Sequence, residues 1–443
     1  MNDLLYNYQG ASTISKNKGI NNLVMAHQTE IPEVNNIPCF FWGSLTDPFV
    51  TAKCWSTIAK VVRSSFGPIP PSLRDPIITA GTERMRFEGF SSCNGVYVRL
   101  DMKPESINGE FIASGTTNVD FNDPMLNALN AIQKNEKVTL AVGQNDLQVL
   151  TSKAKIVEKK VTLPPRWIKG LTSVQLYLAD MEPKFELNKL QSIQLFQNLP
   201  KGNVKGAFFI TKRAGKFMFS TLATPDSVRI GGIQRLRLLE GILALVDKIH
   251  FYESSDKETC AVVCEFGKMQ LLMAFSPDAY RGFSGEGKAL ENMTANLPME
   301  YVYGLNSLLK ANESFDPTML SIENDIDFGT MDHLTSSLSS MGLLGFDLEN
   351  RSHFYRRLPF KTDRILSLNP RLKNANKLIN NDEISVITKK ENYIEAQVKG
   401  TGVMHRVVID GDKSHCTCNW FTNYQGKRGI CKHVLGVKIL ADM

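Results

Sequence analysis

The stretch "HCTCNWFTNYQGKRGICKH", residues 415–433, gathers three cysteines and two histidines in a 443-residue chain that holds only eight Cys and seven His. Its ligand-type residues fall into two pairs, Cys416-x-Cys418 and Cys431-x-His433, separated by twelve residues. Residues two apart on an extended segment project to the same side, with Cα atoms roughly 6.5 to 7 Å apart. Two thiolates can then converge on one ion at about 2.3 Å each, with an imidazole nitrogen at about 2.0 to 2.1 Å. A Cys3His set is soft and tetrahedral and is completed by protein atoms alone, so one structural zinc is the expected metal. A closed site leaves no position for a water nucleophile, so the zinc is not read as catalytic.

A disulfide pair is the competing use of such cysteines, and the compartment argues against it. The chain opens "MNDLLYNYQGASTISKNKG", without a charged segment followed by an apolar one. Its most apolar run, "LRLLEGILALVDKI", is interrupted by Glu240 and Asp247 and is too short to span a bilayer. A soluble cytoplasmic protein with reduced thiols is therefore expected.

Upstream of the ligands lie three strand-like segments, "EISVITK", "YIEAQVKG" and "MHRVVIDG". Downstream, "CKHVLGVKIL" reads as a short helix with Val434, Val437 and Leu440 on one face. Strands, Cys-x-Cys, a variable loop, Cys-x-His and a helix resemble the SWIM zinc finger. The resemblance implies Cys416, Cys418, Cys431 and His433 as ligands, in a small ββα-like finger over residues 381–443. His415 fits no position of that motif and is expected at the surface or behind the ligands.

Charge is uneven along the chain. Residues 351–443 carry 17 Lys plus Arg against 8 Asp plus Glu, whereas the first 350 residues hold 34 against 37. The overall balance of +6 is thus concentrated in the C-terminal fifth. Such a surface suits an acidic partner, nucleic acid or protein, or is simply a solvated face.

Residues 286–360 read as a winged helix. "PMEYVYGLNSLLKAN" has Met299, Val302, Leu305 and Leu309 at helical spacing, and Asp316-Pro317 caps and starts a second helix. A third helix carries Leu334, Leu338 and Met341 on one face and stops at Gly342. "LLGFDL" and "SHFYRRL" then form a hairpin around Glu349-Asn350-Arg351. The would-be recognition helix, "GTMDHLTSSLSSMG", has no Lys or Arg for phosphate contacts. The module therefore reads as a protein-docking unit as readily as a DNA reader. Its basic residues lie on and after the hairpin. Arg351, Arg356 and Arg357, with Lys427, Arg428 and Lys432 of the finger, are the candidate partner-binding residues.

The expected fold class is α+β and multidomain. Residues 1–35 are read as a poorly ordered leader, residues 36–285 as a strand-rich α+β region and residues 361–380 as a linker or helix. Within the strand-rich region, "NGVYVRLDM", "KVTLAVGQNDLQVLT", "GAFFITKRAGKFMFSTL", "TCAVVCEF" and "MQLLMAFS" are predicted strands. Helices are expected after Asp123-Pro124 and over "RLRLLEGILALVDKIH", each ahead of a strand pair. That order suggests two related α+β halves, somewhat like those of a sliding clamp. Cys260 and Cys264 are expected as packing residues, and "RGFSGEG" lacks the Lys-Ser/Thr of a phosphate loop.

Taken with "SGTTNVDFNDPMLNAL", "LPPRWIKGL" and "SPDAYRGFSGEG", most of residues 40–443 resemble bacterial SWIM zinc finger family proteins. These are often encoded beside an AAA+ ATPase and a von Willebrand A-type protein, which implies such partners. No catalytic constellation is legible. A non-catalytic adaptor for a protein or nucleic-acid partner is expected, with an enzyme whose site lies within residues 40–280 as the alternative.

Overall fold

Alternation of side chains decides the centre of the molecule. In Met85–Phe90 and Val96–Met102 every residue is buried, and the two strands pair antiparallel with Arg86 opposite Asp101 and Glu88 opposite Arg99. One face is apolar, through Met85, Phe87, Val98, Leu100 and Met102, and the other carries Arg86, Glu88, Tyr97, Arg99 and Asp101. A sheet of this kind needs an apolar cover on one side and polar partners on the other.

The computed structural model describes residues 41–66, 76–142, 161–277, 314–356, 369–411 and 413–442, apart from 120, 122, 163, 164, 203, 205, 427 and 428. It also describes residues 282, 283, 292 and 305 and short strands before residue 29. Its main sheet has nine antiparallel strands, in the order Met181–Asn188, Lys248–Ser254, Cys260–Glu265, Met269–Phe275, Val96–Met102, Met85–Phe90, Ile77–Ala80, Gly115–Val119 and His27–Gln28.

The helix Pro48–Arg63 covers the apolar face. Asp47 caps it by accepting from the Val50 N–H, Pro48 starts it, and Lys60 and Arg63 lie in its last turn. Trp55 packs on Phe87 at 5.1 Å between ring centres. On the polar face lies the helix Pro165–Ala179, whose Gln175 reaches the Tyr97 hydroxyl. A second, five-stranded sheet runs Thr13–Asn17, Ile20–Met25, Lys137–Val142, Phe41–Leu45 and Ile107–Phe111.

Every predicted strand within the described residues is present, and the chain is mixed α+β and strand-rich. Three local readings change. Ile233–Leu239 and Leu243–Leu245 are 3-10 turns, not the helix expected there. Gly232 precedes them at φ 60°, and the buried Arg235 guanidinium donates to the carbonyls of Gly231, Gly95 and Ser276, fixing tight turns where a regular helix would carry the chain away. Ile20–Met25 of the expected leader pairs in parallel with Lys137–Val142, the run Leu23-Val24-Met25 having been masked by its polar surroundings. The Pro165–Ala179 helix was not anticipated from "LPPRWIKGL".

Residues 314–356 form the strand Ser314–Phe315, the helices Pro317–Asn324 and Phe328–Ser340, and the hairpin Leu344–Asp347 with Ser352–Tyr355. Asp316 caps the first helix, and Met341 and Gly342, at φ 80°, end the second, as the sequence indicates. The first of the three expected helices lies outside the described residues apart from Leu305, which is buried with Phe315, Met331, Leu334, Leu338 and Leu344.

The hairpin is not a free wing. Phe346 and Leu348 join the main core, the Arg99 guanidinium donates to the Phe346 carbonyl at 2.8 Å, and the Phe346 N–H donates to Gln175 at 2.9 Å. The Arg86 guanidinium lies 3.7 Å from the centre of the Phe354 ring while pairing with Asp101. Burial would raise the Asp347 carboxyl, but Arg99 and Arg86 beside it hold it below the usual carboxylate range.

His353 sits between Phe315, stacked at 5.7 Å, and Phe346, edge-on at 5.1 Å. Burial depresses its imidazole from 6.5 to about 4, so it is folded in the neutral form. The unfolded chain takes up this proton near 6.5 and the folded chain only near 4. The contribution is therefore full above the unfolded value and is lost as pH falls between the two, on the order of 3 kcal/mol in all. Urea unfolding of wild type and His353→Phe across that window should show the variant with the flatter dependence; parallel curves would remove His353 as the cause.

Candidate metal centre

The C-terminal module is a four-stranded antiparallel meander, Ile384–Lys390, Tyr393–Lys399, Met404–Asp410 and Lys413–Cys416, with three helices against it. The last strand pairs Cys416 with Val407 and carries it into the core. Cys418, in extended conformation at φ −76° and ψ 154°, caps the helix Asn419–Tyr424, its Sγ accepting from the Phe421 N–H at 3.5 Å. Cys431 directly precedes the helix Lys432–Asp442, and its Sγ accepts from the Val434 N–H at 3.4 Å. Two of the three sulfurs thus face backbone N–H donors at helix starts, which favours the thiolate form.

His433 lies in the first turn of that last helix and turns Nδ1 toward Cys416 Sγ at 3.8 Å. All four residues are buried, and their ligand atoms lie within 4.8 Å of one another. A tetrahedron with zinc–sulfur bonds of about 2.3 Å and zinc–nitrogen bonds of about 2.0 Å has edges of roughly 3.5 to 3.8 Å. The spacing and the donor chemistry fit one structural zinc held by Cys416, Cys418, Cys431 and His433.

The thiols are electrostatically linked. A hydrogen bond from Cys416 holds the Cys431 thiol down, against the opposing effect of burial. That same bond, with burial, pushes Cys416 up, and burial raises Cys418. A dication held by Cys416, Cys418, Cys431 and His433 would remove this conflict by favouring three thiolates together.

Around the ligands the module has its own core, formed by Leu372, Ala375, Leu378, Ala396, Val398, Val407, Val434, Leu435 and Val437 among others. The first three belong to the helix Pro370–Asn380, capped by Asn369. That helix is therefore part of the finger and not a linker to it. Arg371 fixes the ligand loop: its guanidinium donates to the Ile430 carbonyl at 2.9 Å and lies 4.4 Å from the Trp420 ring centre, and Trp420 Nε1 donates to Gly429. Sequence reading missed this clamp because Arg371 lies far upstream of the motif. It also missed His405, whose ring lies 4.5 Å from that of His433. His415 is exposed and packs edge-on against Phe421.

The candidate partner-binding residues are not brought together. Arg356 is fully buried, pairing with Glu88 at 2.6 Å and donating to the Leu171 carbonyl, so its guanidinium faces the sheet and cannot meet an outside phosphate. Arg351 is half-exposed but pairs with Glu182 at 2.9 Å and donates to the Met181 carbonyl. Arg356 corrects the sequence expectation, since its guanidinium completes the polar face of the sheet, whereas Arg351 stays accessible in an exposed pair. Lys432 lies half-buried in the first turn of the last helix. Arg357, Lys427 and Arg428 lie outside the described residues.

Cys260 and Cys264 are buried in the main core as packing groups, as expected. Burial raises the Cys260 thiol to about 12 and Cys264 well above its ordinary value. Among the described residues no helix is long and apolar enough to cross a membrane.

Fold and site together define a strand-rich α+β protein ending in a small Cys3His metal-binding finger. Residues 405–442 match the family model of the SWIM zinc finger, which spans all four ligands. No curated protein matches the sequence. Among solved structures the chain is similar to proliferating cellular nuclear antigen from Entamoeba histolytica, at 8% identity and a TM-score of 0.33 over 54% of this chain and 98% of that one. A likeness that low carries no argument about fold or function.

Proposed function

We propose that the chain is a non-catalytic interaction protein in which zinc orders a C-terminal finger that meets an acidic partner. The observation that carries the reading is the closure of the metal centre: four buried protein ligands leave no open position for substrate or water. Exposed on the same C-terminal module, outside any ion pair among the described residues, are Lys373, Lys377, Lys390 and Lys413. The whole-chain resemblance makes an AAA+ ATPase or a von Willebrand A-type protein the first partner to test. Nucleic acid is the alternative acidic partner, with the exposed lysines of the C-terminal module as its support.

Salt dependence separates these partners. Contacts to duplex phosphates give a slope of log affinity against log salt of about −0.9 each. Neutralising Lys427 and Arg428 together should flatten the slope by roughly one to two units and leave zinc content unchanged. Duplex, single-stranded DNA and RNA are titrated against wild type and this variant. Absence of binding by every probe near about 50 mM salt would leave protein as the partner. Failure of affinity purification to recover any partner that depends on an intact finger would end the proposal.

A further inference from the structure

Away from the finger, the two helices of residues 314–340 expose large apolar side chains. Met319 and Ile322, one turn apart on Pro317–Asn324, are 53% and 65% exposed. Phe328, in the first turn of the next helix, is 62% exposed, and only the short turn 325–327 separates the two helices. The opposite faces are occupied: Leu334 and Leu338 are buried with Phe315 and Leu344. Three large apolar side chains within ten residues of sequence are thus left exposed, more than singly scattered surface hydrophobics account for.

The charge around them is of one sign. Residues 314–340 contain Asp316, Glu323, Asp325, Asp327 and Asp332 and no Lys or Arg. All five carboxylates are exposed, and among the described residues none takes part in an ion pair. Elsewhere this chain pairs its acidic groups readily, as Glu88, Asp101, Asp347 and Glu349 do. An acidic rim about an apolar centre repels nucleic acid and anionic lipid. It complements a helix with an apolar stripe flanked by Lys and Arg.

We propose that the surface formed by Met319, Ile322 and Phe328 within this acidic rim is a docking site for a basic amphipathic helix of a partner protein. The apolar side chains would supply anchors spaced to meet i, i+3 and i+4 positions of the incoming helix, and the carboxylates would set its orientation. The site is separate from the finger in sequence and in core, since the two belong to different buried clusters.

The probe is an eighteen-residue synthetic helix of Leu and Lys with its leucines on one face, titrated against the full chain by fluorescence anisotropy in about 50 mM salt. Binding with a dissociation constant on the order of 10 μM is expected. Ile322→Ala with Phe328→Ala should weaken it about tenfold or more, as should Glu323→Lys with Asp332→Lys. All four positions are exposed, so these variants keep the fold. A peptide of the same composition with leucines scattered should bind at least about tenfold more weakly. Cys431→Ser should bind as wild type does. Equal binding of the scattered peptide, no effect of the surface variants, or loss of binding in Cys431→Ser would each overturn the proposal.

Discussion

Protein purified without added metal is expected to carry about one zinc per chain, Cys260→Ser to keep it and Cys431→Ser to lose it. Cys431 accepts from the Val434 N–H and from Cys416 and stands at the start of the last helix, so its loss removes the ligand best prepared as a thiolate. Structural zinc in small fingers contributes apparent binding free energies of about 10 to 16 kcal/mol near neutral pH, more than a module of this size gains from its core alone. The variant should therefore lose amide protection in Asn419–Tyr424 and Lys432–Asp442 while the nine-stranded sheet keeps its own, because the two cores are distinct. Metal analysis with hydrogen exchange reads both effects. Equal zinc in the two variants would end the assignment of Cys431 as ligand, and zinc retained by a chain truncated before Lys413 would place the metal elsewhere.

The metal centre was legible because zinc demands a local pattern. Cys416, Cys418, Cys431 and His433 lie within one short stretch, and the two-residue spacing of each pair lets their ligand atoms converge. The strands were legible for the same reason, alternation being a property of neighbours in sequence. Groups serving distant partners were not. Arg356 reads as a surface charge beside Arg357, yet it closes on Glu88, 268 positions away. Arg235 looks helical in "RLRLLEGILALVDKIH", yet its guanidinium serves the carbonyls of Gly95 and Ser276. Arg371 clamps Ile430 across 59 positions. In each case a long side chain satisfies a buried polar group whose location only the tertiary fold fixes, and no periodicity announces it.

Arg356→Met is expected to destabilise the protein by about 3 to 5 kcal/mol, whereas Arg351→Gln should cost no more than about 1 kcal/mol. Both arginines pair with glutamates of the strand-rich region, but the pairs differ in solvent. Arg356 and Glu88 are 0% and 1% exposed, and Arg351 and Glu182 are 46% and 60% exposed. Removing the Arg356 guanidinium leaves a carboxylate buried with only the Tyr97 hydroxyl, at 2.6 Å, to satisfy it, and frees the Leu171 carbonyl. The exposed pair simply exchanges its partner for water. A second substitution tests the cause: Glu88→Leu combined with Arg356→Met removes both charges and should recover a large part of the loss, leaving the Tyr97 hydroxyl without its acceptor and the Leu171 carbonyl without its guanidinium donor. Urea unfolding of wild type, Arg356→Met, Glu88→Leu and the combined variant closes a double-mutant cycle. Additive losses would mean that Arg356 acts by packing alone. Strong coupling would show that the ion pair ties residues 314–356 to the sheet, and that any binding defect of an Arg356 variant reflects the fold and not a lost contact with a partner.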